Sequence, residues 1–410
     1  MIKYKKNLPL DHTLIGNEIE KSIKIYKWNY ILSELPPNSF LVGGYIRDLI
    51  IGRNTKDNNI DLDIIVPNNA YIVGNNIAEK YNGKLILLDK DREIVRIIIE
   101  GLMLDIAPQT SDSLIEDLFS RDFTINSISF SLDSKLIFDP VNGIQDLNKS
   151  LLKTYQAKNL IDDPLRILRC FRFVSELNFF IDENLYDLIN ICKDQLATVS
   201  VERIQYELKK IIRGENALKS ILLIKKTNLF KWLQSEEIDS VFFNESLNIT
   251  IFDKDEIQKY LPIFYLIETL TDLSIEKLKF SKSEIAEAIA LRKWKNKIIS
   301  KPIGQFNETE RFALHKELEF ILPSFILYLP EKDKLDWLNR WRDMDDKLFH
   351  PINFLDGNTI KKHIEINDGP LLGKLLDFLS KELAFKRIKD FDDAIYKAKQ
   401  WFQQNAPKYD

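Results

Sequence analysis

Between residues 39 and 150, apolar positions come in short bursts separated by polar turns. Strands are predicted at 39–42, 60–66, 84–88, 94–99, 102–106 and 135–139, with Glu100-Gly101 as a tight turn between two of them. A short helix is predicted over 45–51, directly after the paired glycines Gly43-Gly44. From about residue 151 alternation gives way to a period near 3.6 residues, over 165–177, 183–191, 201–212 and 218–233, the mark of amphipathic helices. Residues 1–38 read as a helical lead-in closed by Pro36-Pro37. Residues 242–252 are irregular, 302–310 form a break, and a last unit begins near Pro351. The pattern predicts an α/β segment followed by a long helical region, with no internal repeat.

One strand carries more than a core pattern. In Ile60-Asp61-Leu62-Asp63-Ile64-Ile65-Val66, the apolar Ile60, Leu62, Ile64 and Val66 alternate with Asp61 and Asp63. Successive strand side chains face opposite ways, so both carboxylates share one face, about 7 Å apart along the strand. Carboxylates this close repel each other unless a cation lies between them. Hard oxygen ligands suit Mg²⁺, which binds through one or two carboxylates and substrate phosphates, as in nucleotidyl transfer. Taken singly, Asp-x-Asp is common on exposed strand edges and Gly-Gly is an ordinary turn. Together, in strand–turn–helix–strand order, they point to a phosphate site. Gly43 and Gly44 permit close backbone approach, and the helix that follows offers unpaired N–H groups.

Composition narrows the field little. The 410 residues are 45% hydrophobic and 29% charged, with a net charge of −4, ordinary for a globular protein of several domains. No apolar run is long enough for a membrane span, and the basic start Met1-Ile2-Lys3 is followed by no signal-peptide core. Cys170 and Cys192 form neither a disulfide framework nor a zinc spacing, which predicts a cytoplasmic protein with free thiols. His12, His315, His350 and His363 show no ligand spacing. The net charge does not advertise a nucleic-acid binder, but local patches such as Lys209-Lys210 to Arg213 decide that question.

Three more stretches bear chemistry. Asp105 ends an apolar strand, where a neighbouring strand would place it as a third carboxylate beside Asp61 and Asp63; a solvated strand end is the equal alternative. In Arg121-Asp122-Phe123-Thr124-Ile125-Asn126, Arg121 offers a planar fork to phosphate, and Asp122 and Asn126 offer bonds to a ribose; an Arg-Asp pair with a capping Asn reads the same residues structurally. Asp162-Asp163-Pro164-Leu165-Arg166 starts a helix in which Asp163 and Arg166, three apart, are expected on one face. A carboxylate beside a guanidinium complements the edges of cytosine and adenine. Asp163 would accept from the exocyclic amine and Arg166 would donate to the ring nitrogen, whereas uracil and guanine present the opposite polarity.

These segments, in this order, resemble class II tRNA nucleotidyltransferases, the CCA-adding enzymes, and their relatives the bacterial poly(A) polymerases. The match covers the glycine turn with Arg47-Asp48, Asp61-Leu62-Asp63, Ser120-Arg121-Asp122-Phe123, Asp139-Pro140-Val141-Asn142-Gly143, Asp162 to Arg169, and Glu202-Arg203. Leu355-Asp356-Gly357 and Gly369-Pro370-Leu371-Leu372 look like the family's tail. The resemblance implies an α+β fold, with a polymerase-β-like nucleotidyltransferase head of mixed sheet and helices followed by all-helical neck, body and tail. The corresponding divisions are an extension over 1–38, head 39–150, neck 151–230, body 231–345 and tail 346–410. It implies two Mg²⁺ ions on Asp61 and Asp63, and Asp105, read from its strand position, completes the candidate catalytic set Asp61, Asp63 and Asp105. It implies nucleotide contacts from Gly43, Gly44, Arg47, Arg121, Asp122, Asn126, Asp163, Arg166 and Arg169. The partners implied are tRNA, CTP and ATP.

The chain also departs from that family. Ser120 stands where the family has arginine, and Asp162 where it has glutamate. The stretch from Asp105 to Arg121 is short, whereas full CCA-adding members carry a flexible loop there; its loss resembles CC-only members, which work with a separate A-adding enzyme. Residues 82–89 lack the basic segment of poly(A) polymerases. Two other readings stay open: a non-catalytic tRNA-binding protein, and a small-molecule nucleotidyltransferase sharing only the head.

Overall fold

The computed structural model describes residues 12–25, 29–53, 60–109, 113–234, 243–244 and 246–405. They form two compact units, residues 1–200 and 201–410. The parts of the expected lead-in over 1–11 and of the short stretch over 110–112 lie outside the described residues.

The first unit is built on a seven-stranded sheet. Its strands are β1 (Phe40–Val42), β2 (Ile60–Val66), β3 (Lys84–Asp89), β4 (Ile94–Ile99), β5 (Leu102–Pro108), β6 (Ser129–Ser131) and β7 (Ile137–Phe138). Their spatial order is β3-β4-β5-β2-β1-β6-β7. Every neighbouring pair is antiparallel except β2 and β5, which run parallel. Alternation decides the two faces. Leu62, Ile64 and Val66 of β2, Leu104 and Ile106 of β5, and Val95 and Ile97 of β4 are all buried on one side. The helix after β2 (Ala70–Lys80) contributes buried Ala70, Ile77 and Ala78. The β4–β5 hairpin turns on Glu100 and Gly101, both at positive φ, the backbone a two-residue hairpin requires.

The sequence pattern finds these strands to within a few residues, and β2 and β4 end to end. It misses β6, whose Ser-Phe-Ser is buried throughout and so shows no polar face. It also misses the short parallel pair Leu151–Leu152 with Phe180–Ile181, in the region read as purely helical.

The described residues of the second unit are helical. The helix expected over 218–233 is shorter, Ala217–Lys226, because Thr227 closes it and Asn228 turns left-handed. In the interior, Glu268 is fully buried and held by Lys295 Nζ at 2.7 Å and Tyr328 Oη at 2.7 Å. Near the C-terminus a separate apolar cluster gathers Leu355, Ile360, Leu375, Leu379, Ala394 and Ala398. Among the described residues, no helix is long and apolar enough to cross a membrane.

His315 is the outlier of this unit. It is fully buried, its ring packs at 4.2 Å from Phe349 and 5.1 Å from Trp337, and neither ring nitrogen has a partner among the described residues. Burial, aided by the charges of Arg311 and Arg340, pushes its pKa down to about 3. The unfolded chain therefore takes up a proton that the folded one refuses. The stability present above pH 6.5 falls as pH drops toward 3. His315→Phe is expected to remove about 2 kcal/mol of the stability lost between pH 7 and pH 5, read by urea unfolding at the two pH values.

Candidate active site

β1 runs into a turn at Gly43 (φ +78°), which leads into helix α1 (Gly44–Ile50). Val42 pairs with Asp63 across the sheet, so the turn sits directly over that carboxylate. A Cβ at Gly43 would lie 2.7 Å from Asp63 Oδ2 and 3.7 Å from Arg121 Nη1. The position thus needs both the positive φ and the missing side chain of glycine. Gly44 donates its backbone N–H to Asp63.

Asp61 and Asp63 share one face of β2, as the alternation requires, with Asp61 exposed and Asp63 half-buried. Asp105 stands in register with Asp63 on the parallel neighbour β5, so the third carboxylate reaches the same face. It is not alone there. Arg96 of β4 pairs with Asp105 and forks it, Nε to Oδ1 at 2.7 Å and Nη2 to Oδ2 at 2.7 Å. Burial pushes the Asp63 carboxyl up to about 6. Asp61 and Asp105 add to the shift, while Arg121 and the Gly44 N–H oppose it. Asp61 and Asp63 therefore suit a divalent cation, whose charge would offset both the burial and the neighbouring carboxylates that raise Asp63. Among the described residues, no group of three or more acidic, histidine or cysteine side chains forms a ready-made metal cage.

Helix α2 (Leu114–Phe119) follows β5, capped by Ser113 accepting from the Glu116 N–H. The turn behind it carries Arg121, whose Nη2 meets Asp117 Oδ2 at 3.3 Å, an i,i+4 pair. Asp122 is buried, and its four acceptor sites are filled. Oδ1 accepts from the Phe123 N–H at 2.8 Å and from Asn126 Nδ2 at 2.9 Å. Oδ2 accepts from Arg169 Nε at 2.8 Å and Nη2 at 2.6 Å. Burial alone would raise its pKa, but Arg169 and these hydrogen bonds hold the carboxyl far below the usual range. Asn126 Oδ1 in turn accepts from Arg47 Nη1 at 2.8 Å, and Arg47 Nε bonds Asp48 at 2.9 Å. Arg47, Asp122, Asn126 and Arg169 are thus brought together, bonded to one another.

The motif that follows departs from its expected geometry. Asp163 is not on the helix with Arg166. It is extended (φ −141°, ψ 92°), between α3 (Lys158–Asp162) and α4 (Leu165–Leu177). The cause is Pro164, since the residue before a proline is driven out of the helical region. Arg166 is half-buried, and its Nη1 is anchored on Ser120 O at 2.8 Å and Asn159 O at 3.0 Å. Asp139 has a structural role, accepting from the N–H groups of Gly143 at 2.7 Å and Ile144 at 2.9 Å.

Sequence reasoning missed four contributors. Arg96 had a signal, a lone charge in the apolar run of β4 on the alternation of its polar face. Asp117, Asn159 and Phe173 had none. The Phe173 ring lies 4.9 Å from the Arg47 guanidinium and 5.9 Å from that of Arg169.

Comparisons with known proteins agree with this architecture. Residues 39–153 match the poly A polymerase head domain, and residues 178–241 match a probable RNA and SrmB-binding site of polymerase A. A CC-adding tRNA nucleotidyltransferase of Synechocystis is 26% identical over 380 residues, 84% of this chain and 89% of that protein. One of Geobacter sulfurreducens is 33% identical over 186 residues, 45% of this chain and 42% of that protein. Among solved structures, a CCA-adding enzyme with CTP superposes with a TM-score of 0.72 at 21% identity, covering 96% of this chain and 99% of that one. The Thermotoga maritima CCA-adding enzyme complexed with tRNA gives 0.68 at 21% identity, over 95% and 94%. The resemblance carried by the motifs and the α+β fold it implied are both borne out.

The raised Asp63 pKa has a measurable sign. The folded protein holds this proton up to about pH 6 and the unfolded chain only to about 4, so stability falls as pH rises through that window. In metal-free protein, Asp63→Asn is expected to raise stability by about 2 kcal/mol at pH 8, after allowance for solvent screening, and to change little at pH 4. Urea unfolding in the presence of a chelator measures both.

Proposed function

We infer that this chain, a member of the tRNA nucleotidyltransferase and poly(A) polymerase family, adds nucleotides from CTP or ATP to the 3′ end of tRNA. The observation that carries the reading is Asp63 under the Gly43 turn, with Asp61 on the same strand face and Arg121 beside the turn, in a head of that family. The RNA 3′-hydroxyl oxygen would attack the α-phosphorus. The bond from that phosphorus to the bridging oxygen would break, pyrophosphate would leave, and the hydroxyl proton would pass to solvent.

Asp61 and Asp63 would hold Mg²⁺, two ions in the reading the resemblance supports. Bound there, the metal supplies charge neutralisation at the triphosphate and a more acidic hydroxyl. Arg121 would take phosphate oxygens through its fork. Asp122, filled on all its acceptor sites, would hold Asn126 and Arg169 in place and leave the ribose to other groups. Asp105, clamped by Arg96, would shape the charge of the acidic face. Arg166 keeps Nε and Nη2 without partners among the described residues, and these donors, with the Asp163 carboxylate, would read cytosine and adenine. Residues 39–150 would serve as head, 151–230 as neck, 231–345 as body and 346–410 as the tail that grips tRNA. The buried free thiols Cys170 and Cys192 fit work in the reducing cytoplasm.

The narrower specificity we assign is CC addition. β5 ends at Pro108 and α2 begins at Leu114, so only residues 109–113 connect them, too few for the flexible loop of full CCA-adding members. The Synechocystis relative, matched over 89% of its length, is CC-adding. A separate enzyme would then add the final A.

Purified protein with Mg²⁺ is expected to extend a tRNA transcript ending at the discriminator base by two C residues and to stop, with CTP alone or with CTP and ATP together. Completion to CCA would overturn the CC assignment, extension only from CC with ATP would mark an A-adding enzyme, and long A tails a poly(A) polymerase. No extension of any transcript would leave a tRNA-binding protein. Arg166→Ala is expected to admit UTP with kcat/KM raised about tenfold relative to CTP, the discrimination carried by one good hydrogen-bonded pair. Single-nucleotide kinetics with the two triphosphates measure it.

A further inference from the structure

Arg166 is held in place by an interaction that its own motif does not contain. Its Nη1 bonds two carbonyl oxygens from separate segments, Ser120 O at 2.8 Å and Asn159 O at 3.0 Å. A guanidinium is planar, so fixing one nitrogen against two acceptors fixes the direction of the remaining donors. The two carbonyls must therefore stay at a constant separation, and one side chain ties them together.

That side chain is Asn159. It lies in α3 and is buried, at 2% exposure. Its Nδ2 donates both protons across to the turn before the Arg121 motif, to Phe119 O at 2.8 Å and Arg121 O at 2.7 Å. Its Oδ1 accepts from Gln156 Nε2 at 3.0 Å. The amide orientation follows from its surroundings, because an oxygen in place of Nδ2 would face two carbonyl oxygens. Ser120 lies between the two carbonyls that Asn159 grips, and Asn159 itself supplies the other carbonyl that anchors Arg166. One buried amide thus closes a ring of hydrogen bonds through the 119–121 turn, α3 and Arg166.

We propose that Asn159 is a positioning residue for base selection. It would hold the Ser120 and Asn159 carbonyls at the separation that aims the free donors of Arg166, so that losing it relaxes the choice of nucleotide without touching the nucleotide. The inference rests on the reading of Arg166 as the base-selecting donor. A side chain that served stability alone would lower activity with every triphosphate by the same factor. One that aims Arg166 changes the ratio between them.

The test uses the full-length chain as wild type, Asn159→Ala, Arg166→Ala and the double variant, each first checked for folding by circular dichroism. kcat/KM is then measured on a tRNA transcript with CTP, ATP, UTP and GTP offered singly. For Asn159→Ala, the preference for its best nucleotide over UTP is expected to fall about tenfold, the scale of one good hydrogen-bonded pair. The double variant is expected to select no more poorly than Arg166→Ala, since both changes act through one group. Should Asn159→Ala fail to fold, Asn159→Ser keeps one donor and carries the same comparison, with a smaller fall expected. Equal loss with all four triphosphates, or independent effects that add in the double variant, would overturn the positioning role while leaving the enzymatic reading intact. A wild type that extends no transcript overturns that reading, and this inference with it.

Discussion

The buried carboxylate of Asp122 is the constraint on which the site is organised. An ionised carboxyl removed from water is costly unless every acceptor finds a donor. Here the donors come from three places: the adjacent backbone at Phe123, the side chain of Asn126, and Arg169 on α4. Satisfying one charge therefore pins the turn after α2 to the face of α4. Through Asn126 the constraint reaches Arg47 in α1, next to the glycine turn. Arg47 and Arg169 also lie over Phe173, whose ring offers its negative face to both cations. A buried charge left uncompensated costs several kcal/mol, roughly 3–5 when one partner is removed. The geometry of the turn that carries Arg121 is thus held by a buried side chain whose acceptors are filled from within the protein.

The acidic face shows the opposite arrangement. Asp63 lies under the glycine turn with Asp61 on the same strand face, and burial pushes Asp63 toward its protonated form. Arg96 compensates Asp105, the carboxylate farthest into the sheet from that turn. The protein thus forks the acid on β5 with a cation of its own, whereas on β2 the charge of Arg121 opposes the shift of Asp63 without cancelling it.

The fold is legible in the sequence where burial is one-sided. β4, β5 and the first five residues of β2 alternate, because one face meets the core and the other meets the site. The same alternation puts Asp61 and Asp63 on one face and makes Asp105 a candidate beside them. β6 is hidden because Ser129 and Ser131 are buried along with Phe130. Helical spacing misplaces Asp163, although the proline beside it bars that residue from the helix. Asn159 and Asp117 are beyond reach for another reason. Their contacts are to backbone carbonyls or to an arginine four residues on in the next turn, and an Asn or Asp doing this looks like any other polar surface residue until the chain is folded.

The single parallel pairing in the sheet, between β2 and β5, also governs when the acidic face can exist. The hairpins β3–β4 and β4–β5 close between strands next to each other in the chain, but β5 lies beyond the helix after β2 and the β3–β4 hairpin, so that whole stretch is synthesised before β5 can pair with β2. Contacts of such sequence separation form slowly, since the loop must close before the pairing rewards it. During synthesis, a ribosome-bound chain that has emerged only as far as β4 has no partner for the free edge of β2. Asp63 and Asp105 meet only once residue 105 has cleared the exit tunnel. The nascent chain therefore passes through a stage in which the Asp-x-Asp strand is made but the face it belongs to is not, a window for chaperone binding and for edge-to-edge misassembly.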